Sequence, residues 1–231
     1  MDFSEADQRF KPVETSRVFN RILDDLDLRT KRVLDLGCGY GEYLVKFGKG
    51  SVGVTTTPHE VAYGATRGLS IIEGNVERIE DIPLTGQFDA IWANNLFEHL
   101  LSPHSFLMHL KTVAADDAVL VLGVPVIPRV ASLMRLNKFR GALAHAHVNF
   151  FTRDSLRLTV ERAGWTVDAV RPFVSSSPML DHIYGAYIPH LYVVARNNPQ
   201  FHYHEKKLKE WVHDPLYKPL LEIAGQESLV E

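Results

Sequence analysis

The sequence predicts an α/β fold: a seven-stranded, mostly parallel sheet with helices on both faces, and a C-terminal β-hairpin that turns one strand antiparallel. Three observations predict it. Short apolar runs alternate with stretches of helical periodicity from residue 32 to residue 165. The runs are almost continuously apolar, as strands covered on both faces must be. The last two runs, 165–173 and 189–197, are joined by a Ser/Pro-rich stretch without a helical pattern, which leaves a hairpin as their connection.

The elements follow in order. Residues 12–28 put Val18, Ile22, Leu23 and Leu26 at helical spacing and predict an amphipathic helix. "RVLDL" (32–36) is a short buried strand, and "GEYLVKFG" (41–48) is a helix that closes at Gly48. "SVGVT" (51–55) is the second strand, after which Pro58 opens a helix at a position that tolerates it. "LSIIEG" (69–74) and "FDAIWAN" (88–94) are the third and fourth strands. Residues 102–114 are helical, with Ser102 as cap before Pro103, and 118–125 form the fifth strand. Residues 126–149 break the rhythm, and 152–165 restore it, with Thr152 as cap and Gly164 as stop. A polar, aromatic extension after Asn198 carries a helix over 203–213. The organisation is an N-terminal helical addition (1–30), a main domain (31–197) with an insertion (126–149), and a C-terminal extension (198–231).

The chain has 231 residues, 45% hydrophobic and 23% charged, with a formal net charge of −3. That composition is globular. Scattered Lys and Arg give no basic face, so no nucleic-acid partner is expected. Cys38 is the only cysteine, which excludes an internal disulfide and fits a reducing, cytoplasmic setting. The polar N-terminus does not read as a signal peptide, and no apolar run reaches the roughly 18–20 residues of a membrane span.

"VLDLGCGYGEYL" (33–44) places Gly37, Gly39 and Gly41 directly after the first strand. Glycines there let the backbone turn sharply and bring N–H groups close to a ligand. The dinucleotide fingerprint G-x-G-x-x-G needs its third glycine one place later, where Glu42 stands, so the spacing disfavours a pyrophosphate site. The stretch resembles the first motif, D/E-x-G-x-G-x-G, of the class I S-adenosylmethionine-dependent methyltransferases, which are Rossmann-like. "FDAIWANNLFEHL" (88–100) is similar to the fourth-strand segment of that superfamily. "HVNFFTRDSLRLTVERAGW" (147–165) resembles a stretch of the subgroup that holds quinone-type and sugar- or polysaccharide-pathway O-methyltransferases. Together the three cover roughly 30–197.

The resemblance implies S-adenosylmethionine as methyl donor, S-adenosylhomocysteine as product, and a small-molecule or glycan-type acceptor methylated at oxygen. It implies that Gly37, Cys38, Gly39 and Gly41 shape the loop around the methionine part. Asp35 either holds the cofactor's ammonium or fixes the loop by accepting backbone N–H bonds. The family usually ends the second strand with an acid that grips the ribose diol, whereas this chain has Thr55. Ribose is then left to Thr55 or Thr56, to backbone, or to water, since a hydroxyl grips a diol less well than a carboxylate. Asn75 stands where an Asp meets the adenine amino group, and Val76 packs on the ring. Asn94 is placed near the methionine moiety, and Asn95 beside the acceptor.

A positioned base speeds transfer to a hydroxyl. His147 matches the family histidine and is favoured as acceptor-side polar group or base. His99 is the second candidate, with a packing role as its alternative. Glu98 and His99 are adjacent, and neighbours on a helix do not face one another, so no Glu–His dyad is expected. His145, His147 and Asn149 share one face of an extended segment. With no Cys, Asp or Glu close by in sequence, no metal is expected there. The insertion mixes apolar residues with Arg129 and Arg135. It reads as a lid with a solvated basic side, as a site for an anionic acceptor, or as a peripheral membrane contact. Two other functions compete: a nicotinamide oxidoreductase, which the glycine spacing disfavours, and a non-catalytic binding protein on the same fold.

Overall fold

The computed structural model describes residues 4–129, 146–212 and 218–223. Two helices, α1 (Ser4–Glu14) and α2 (Arg17–Asp25), precede the sheet. The single helix expected over 12–28 is thus two, because the Ser16 hydroxyl accepts from Phe19 N–H and starts a new helix. The strands are β1 (Val33–Leu36), β2 (Val52–Thr55), β3 (Ile71–Glu73), β4 (Phe88–Asn94), β5 (Ala114–Pro125), β6 (Trp165–Arg171) and β7 (His190–Asn197). Between them run α3 (Pro58–Thr66), α4 (Pro103–Leu110), α5 (Arg153–Arg162) and α6 (Pro178–Tyr184), and α7 (Glu205–Val212) and α8 (Lys218–Ile223) follow.

The sheet order is β3-β2-β1-β4-β5-β7-β6. Only β7 runs against its neighbours, pairing antiparallel with both β5 and β6, as the hairpin reading required. β1 connects to β2 on one side and lies beside β4 on the other, so the strand order reverses between β1 and β4. Their carboxyl ends are level, with Leu36 opposite Val54 and Ala93. A crevice opens at such a switch point, and it is where open α/β sheets take ligands.

Alternation along β1 divides the core. Leu34 and Leu36 face the layer that holds Phe97, Phe106 and Trp165, while Val33 faces the layer of Phe19, Ile22, Leu23 and Trp92. Asp35 falls on the second face by the same alternation.

Two expected elements differ. The helix expected over 41–48 is a single 3₁₀ turn, Leu44–Lys46. Gly41 sits at φ +89°, outside the helical region, and Gly48 lies so close to Lys31 that a Cβ would come within 2.4 Å of its carbonyl oxygen. Tyr43 and Phe47 are drawn onto Phe19 and Trp92, with ring centroids 4.8–6.0 Å apart. Packing outweighs the propensity of so short a segment. Conversely, α6 stands in the loop expected to be non-helical. Ser177 caps it, Pro178 opens it, and buried Asp181 accepts from Ser175 N–H at 2.7 Å. Elsewhere Thr152 caps α5 as anticipated, and Ser155 answers it to complete a reciprocal capping box. Most of the 126–149 insertion, with Arg135 and His145, lies outside the described residues.

Candidate active site

A cavity of about 410 Å³ opens at the β1/β4 switch point. The loop after β1 forms its floor, α1 one wall, and the residues after β4 another. The volume is in the range of small-molecule sites, roughly 300–1,000 Å³.

Gly37 and Gly39 line the cavity at φ +68° and +56°. Amides of Gly37 and Cys38 both donate to the Val54 carbonyl, at 2.9 and 3.0 Å, which pins the loop to β2. A Cβ on Gly39 would lie 2.8 Å from Glu42 Oε2, so only glycine leaves that carboxylate its position. Gly41 serves packing, since a Cβ there would meet Leu69 at 2.6 Å. Cys38 turns its thiol inward against Gly53, and burial pushes the thiol's pKa up, out of the reactive range.

Asp35 does not line the cavity. It lies under the loop, 1% exposed, and burial holds its carboxyl well above the ordinary range despite a bond from the Leu44 N–H. Its Oδ2 has no hydrogen-bond partner among the described residues. Glu42 is the carboxylate that lines the cavity, paired with Arg9 of α1 at 2.8 Å.

Thr55 is buried at the end of β2, and its hydroxyl donates to Glu60 Oε2 in the first turn of α3. The same hydroxyl accepts from Thr57 N–H at 3.2 Å, while Thr56 is exposed. Asn75 caps the turn Val76–Asp81 by accepting from Glu77 N–H, and Val76 is buried. Asn94 Nδ2 donates to the Tyr43 hydroxyl at 3.1 Å, and its buried Oδ1 is unpartnered among the described residues. Asn95 sits in the left-handed region, φ +54°. Its N–H donates to the Gly123 carbonyl at 2.8 Å, and its Oδ1 lies 3.0 Å from His190 Nε2. Burial lowers the pKa of His190 to about 4, so its ring is neutral at pH 7.

A second cluster stands apart from the cavity lining. His99 and His147 meet edge to face at 4.8 Å between centroids. Each Nε2 lies 3.8 Å from Oε1 of Glu98, which is 1% exposed and held in its protonated form by burial to a higher pH than usual. The cluster corrects two expectations. A 3₁₀ turn, Phe97–His99, brings adjacent Glu98 and His99 together, and Glu98 supplies the acid that the sequence around His147 lacks. Their ligand atoms all lie within 4.8 Å of one another, so the trio has the composition of a metal site. Val148 and Asn149 N–H groups both donate to the Glu98 carbonyl at 3.0 Å and dock this segment on the turn. Arg129 is exposed and paired with both oxygens of Asp154 at 3.3 Å.

A family model described as "Methyltransferase domain" matches residues 7–170, more than half of the chain. The chain belongs to this methyltransferase-domain family. A chloroplastic protein of Oryza sativa subsp. japonica, named "Probable tocopherol O-methyltransferase", is 32% identical over 124 residues, 49% of this chain and 34% of its own length. The ubiquinone biosynthesis O-methyltransferase of Xanthomonas oryzae pv. oryzae is 29% identical over 128 residues, 46% of this chain and 54% of its own. The chain thus spans between a third and just over half the length of these relatives. Magnesium protoporphyrin IX methyltransferase from Synechocystis, solved with bound S-adenosylhomocysteine, shares the fold at TM-score 0.55 and 16% identity. That likeness covers 86% of this chain and 89% of that one. No helix among the described residues is long and apolar enough to cross a membrane.

The sequence missed Arg9, Glu42, Glu60 and His190 as site residues. Thr57 to Glu60, a cap position followed three residues later by an acid, was the one readable signal among them.

Proposed function

We propose that this methyltransferase transfers a methyl group from S-adenosylmethionine to a hydroxyl oxygen of a small-molecule or glycan-type acceptor, residues 31–197 carrying the reaction. The observation that carries the reading is the cavity at the switch point, floored by bare glycine backbone and walled by Glu42, Asn94 and Asn95. The residues present fit a sulfonium nucleoside. The floor admits no Cβ at Gly39, a carboxylate faces the space a cation would take, and Asn94 Oδ1 offers a buried acceptor without a partner among the described residues.

When bound, the cofactor supplies a methyl group activated by a positive sulfur. Gly37 and Gly39 give its amino-acid end room, and Asn94 accepts a hydrogen bond from it. Thr55 and Glu60 act as one unit for the ribose: Glu60 provides the acceptor oxygens that a threonine alone lacks. Asn75 and Val76 flank the adenine. Asn95, on the carboxyl edge of the sheet, borders the acceptor. His147 removes the acceptor's proton, with Glu98 orienting its ring, and His99 supports the pair. Arg129 meets an anionic acceptor only by exchanging Asp154 for it. Alignment in the cavity is the larger part of the catalysis, and the base adds roughly 10²–10⁴-fold.

Titration calorimetry with S-adenosylmethionine, S-adenosylhomocysteine and NAD tests the reading. Binding of both sulfur nucleosides without NAD heat is the expected result; NAD binding, or no binding by any of the three, overturns it. Once an acceptor is in hand, His147→Ala should cut turnover by roughly 10²-fold or more. Its S-adenosylhomocysteine affinity should stay that of the parent, and equal loss of both assigns His147 to structure.

A further inference from the structure

We propose that Arg9 and Glu42 form a clamp for the zwitterionic amino-acid tail of the sulfur nucleoside, Glu42 taking its ammonium and Arg9 its carboxylate. The clamp rests on the reading that this cavity binds S-adenosylmethionine.

The two charges already face one another across the cavity. Arg9 Nε lies 2.8 Å from Glu42 Oε1, and both residues line the space. The Glu42 side chain is 6% exposed and that of Arg9 53%, so the anion is fixed inside and the cation reaches in from the rim. Glu42 uses Oε1 for Arg9, while Oε2 lies over Gly39, at 2.8 Å from where a Cβ would stand. That second oxygen is directed at the floor on which the tail must rest. Asp35, the acid within the glycine motif, is buried beneath the loop and does not line the cavity. The carboxylate that the tail meets is therefore Glu42.

Helix α1 is built to carry Arg9 there. Arg9, Pro12 and Val13 stand at i, i+3 and i+4, on one face, and all three line the cavity. A different face anchors the helix. Ala6 and Phe10 bury themselves against Tyr63, whose hydroxyl donates to Asp7 at 2.6 Å, and Arg67 pairs with Asp7 at 3.3 Å. Lys46 pairs with Glu14 at 3.1 Å at the other end of the helix. The position of α1 is set by contacts that do not involve Arg9, which leaves the guanidinium free to exchange partners without moving the helix.

The exchange is favourable on charge grounds. An ammonium and a carboxylate on one carbon, entering between Arg9 and Glu42, give each charge an opposite neighbour. One half-exposed ion pair, worth little in water, becomes two charge-assisted contacts with a pre-oriented guanidinium and carboxylate.

Titration calorimetry on the full chain with three probes isolates the two ends of the tail. S-adenosylhomocysteine carries both charges, decarboxylated S-adenosylhomocysteine keeps the ammonium alone, and 5′-methylthioadenosine has neither. Arg9→Gln should weaken S-adenosylhomocysteine by roughly ten- to a hundred-fold and leave the other two unchanged. Glu42→Gln should weaken both ammonium-bearing probes and spare 5′-methylthioadenosine. Arg9→Lys, which keeps the charge and loses the fork, should recover part of the loss. Equal weakening of all three probes by Arg9→Gln, or none, overturns the clamp while the methyl-transfer reading stands. Failure of the parent chain to bind any probe overturns both. Arg9 is half exposed, so a melting curve like the parent's shows that the variant is folded.

Discussion

In the proposed reading, Thr55 and Glu60 together supply what a single acid at the end of β2 would. The end of β2 has a hydroxyl where a carboxylate would grip two ribose oxygens, and α3 brings a carboxylate onto that hydroxyl from five residues away. Thr55 is buried and also holds Thr57 N–H, so it orients Glu60 and fixes the start of α3 together. In Glu60→Gln the amide can still meet Thr55 but loses the charge that strengthens bonds to a diol. Its affinity for S-adenosylhomocysteine should fall about tenfold. More telling is the 2′-deoxy analogue: the parent should discriminate against it, and Glu60→Gln should bind the ribose and deoxyribose forms almost alike. Undiminished discrimination in the variant would mean that Glu60 serves only α3. Nothing in the strand itself announced Glu60, because its role depends on where a helix begins.

At the scale of elements, local patterns were readable and long-range exchanges were not. β4 reads directly from "FDAIWAN", a run apolar but for Asp89 and Asn94, and its bounds match. The α5 cap reads directly from Thr152 because capping is decided within four residues. The Ser177–Pro178 start of α6 has the same Ser-Pro form in sequence as Ser102–Pro103 and was equally readable, but a Ser/Pro-rich context masked it. Of the two serines only Ser177 makes the cap bond, and the Ser102 side chain expected to cap α4 does not. The turn at Leu44–Lys46 was not readable. What unmakes the helix there is the pull of Tyr43 and Phe47 onto Trp92, about fifty residues on. The site divides likewise. Its glycine floor and its asparagines follow from motif position, whereas Arg9 reaches Glu42 across 33 residues and Glu98 becomes a partner of His147 only when the 146–149 segment docks on it. A polar N-terminus gives no hint that one face of α1 will wall a cavity.

The whole molecule is organised by the reversal of strand order between β1 and β4, and that reversal has an electrostatic cost. It places the β1 carboxyl end under the glycine loop, where Asp35 lies between covered layers with, among the described residues, one backbone donor and no cation beside it. Burial and the nearby Glu42 charge both raise its pKa. Glu98, likewise buried, is raised as well. The folded state then binds these protons more tightly than the unfolded chain, whose carboxyls titrate near 4. Stability from this source is complete below that pH and is lost as pH climbs through the higher folded-state values. Each tenfold difference in proton affinity is worth about 1.4 kcal/mol, which for a chain of this size is a few degrees of melting temperature, roughly 2–4 °C per kcal/mol. Asp35→Asn keeps an oxygen for the Leu44 N–H and removes the titration. Its melting temperature relative to the parent should therefore rise steadily from pH 4 to pH 8, with the gap widest at the alkaline end. Glu98 is common to both proteins, so it cancels in the difference. A gap that stays constant with pH would show that Asp35 ionises alike in both states. A gap that narrows as pH rises would reveal a cation holding the carboxylate in the folded chain.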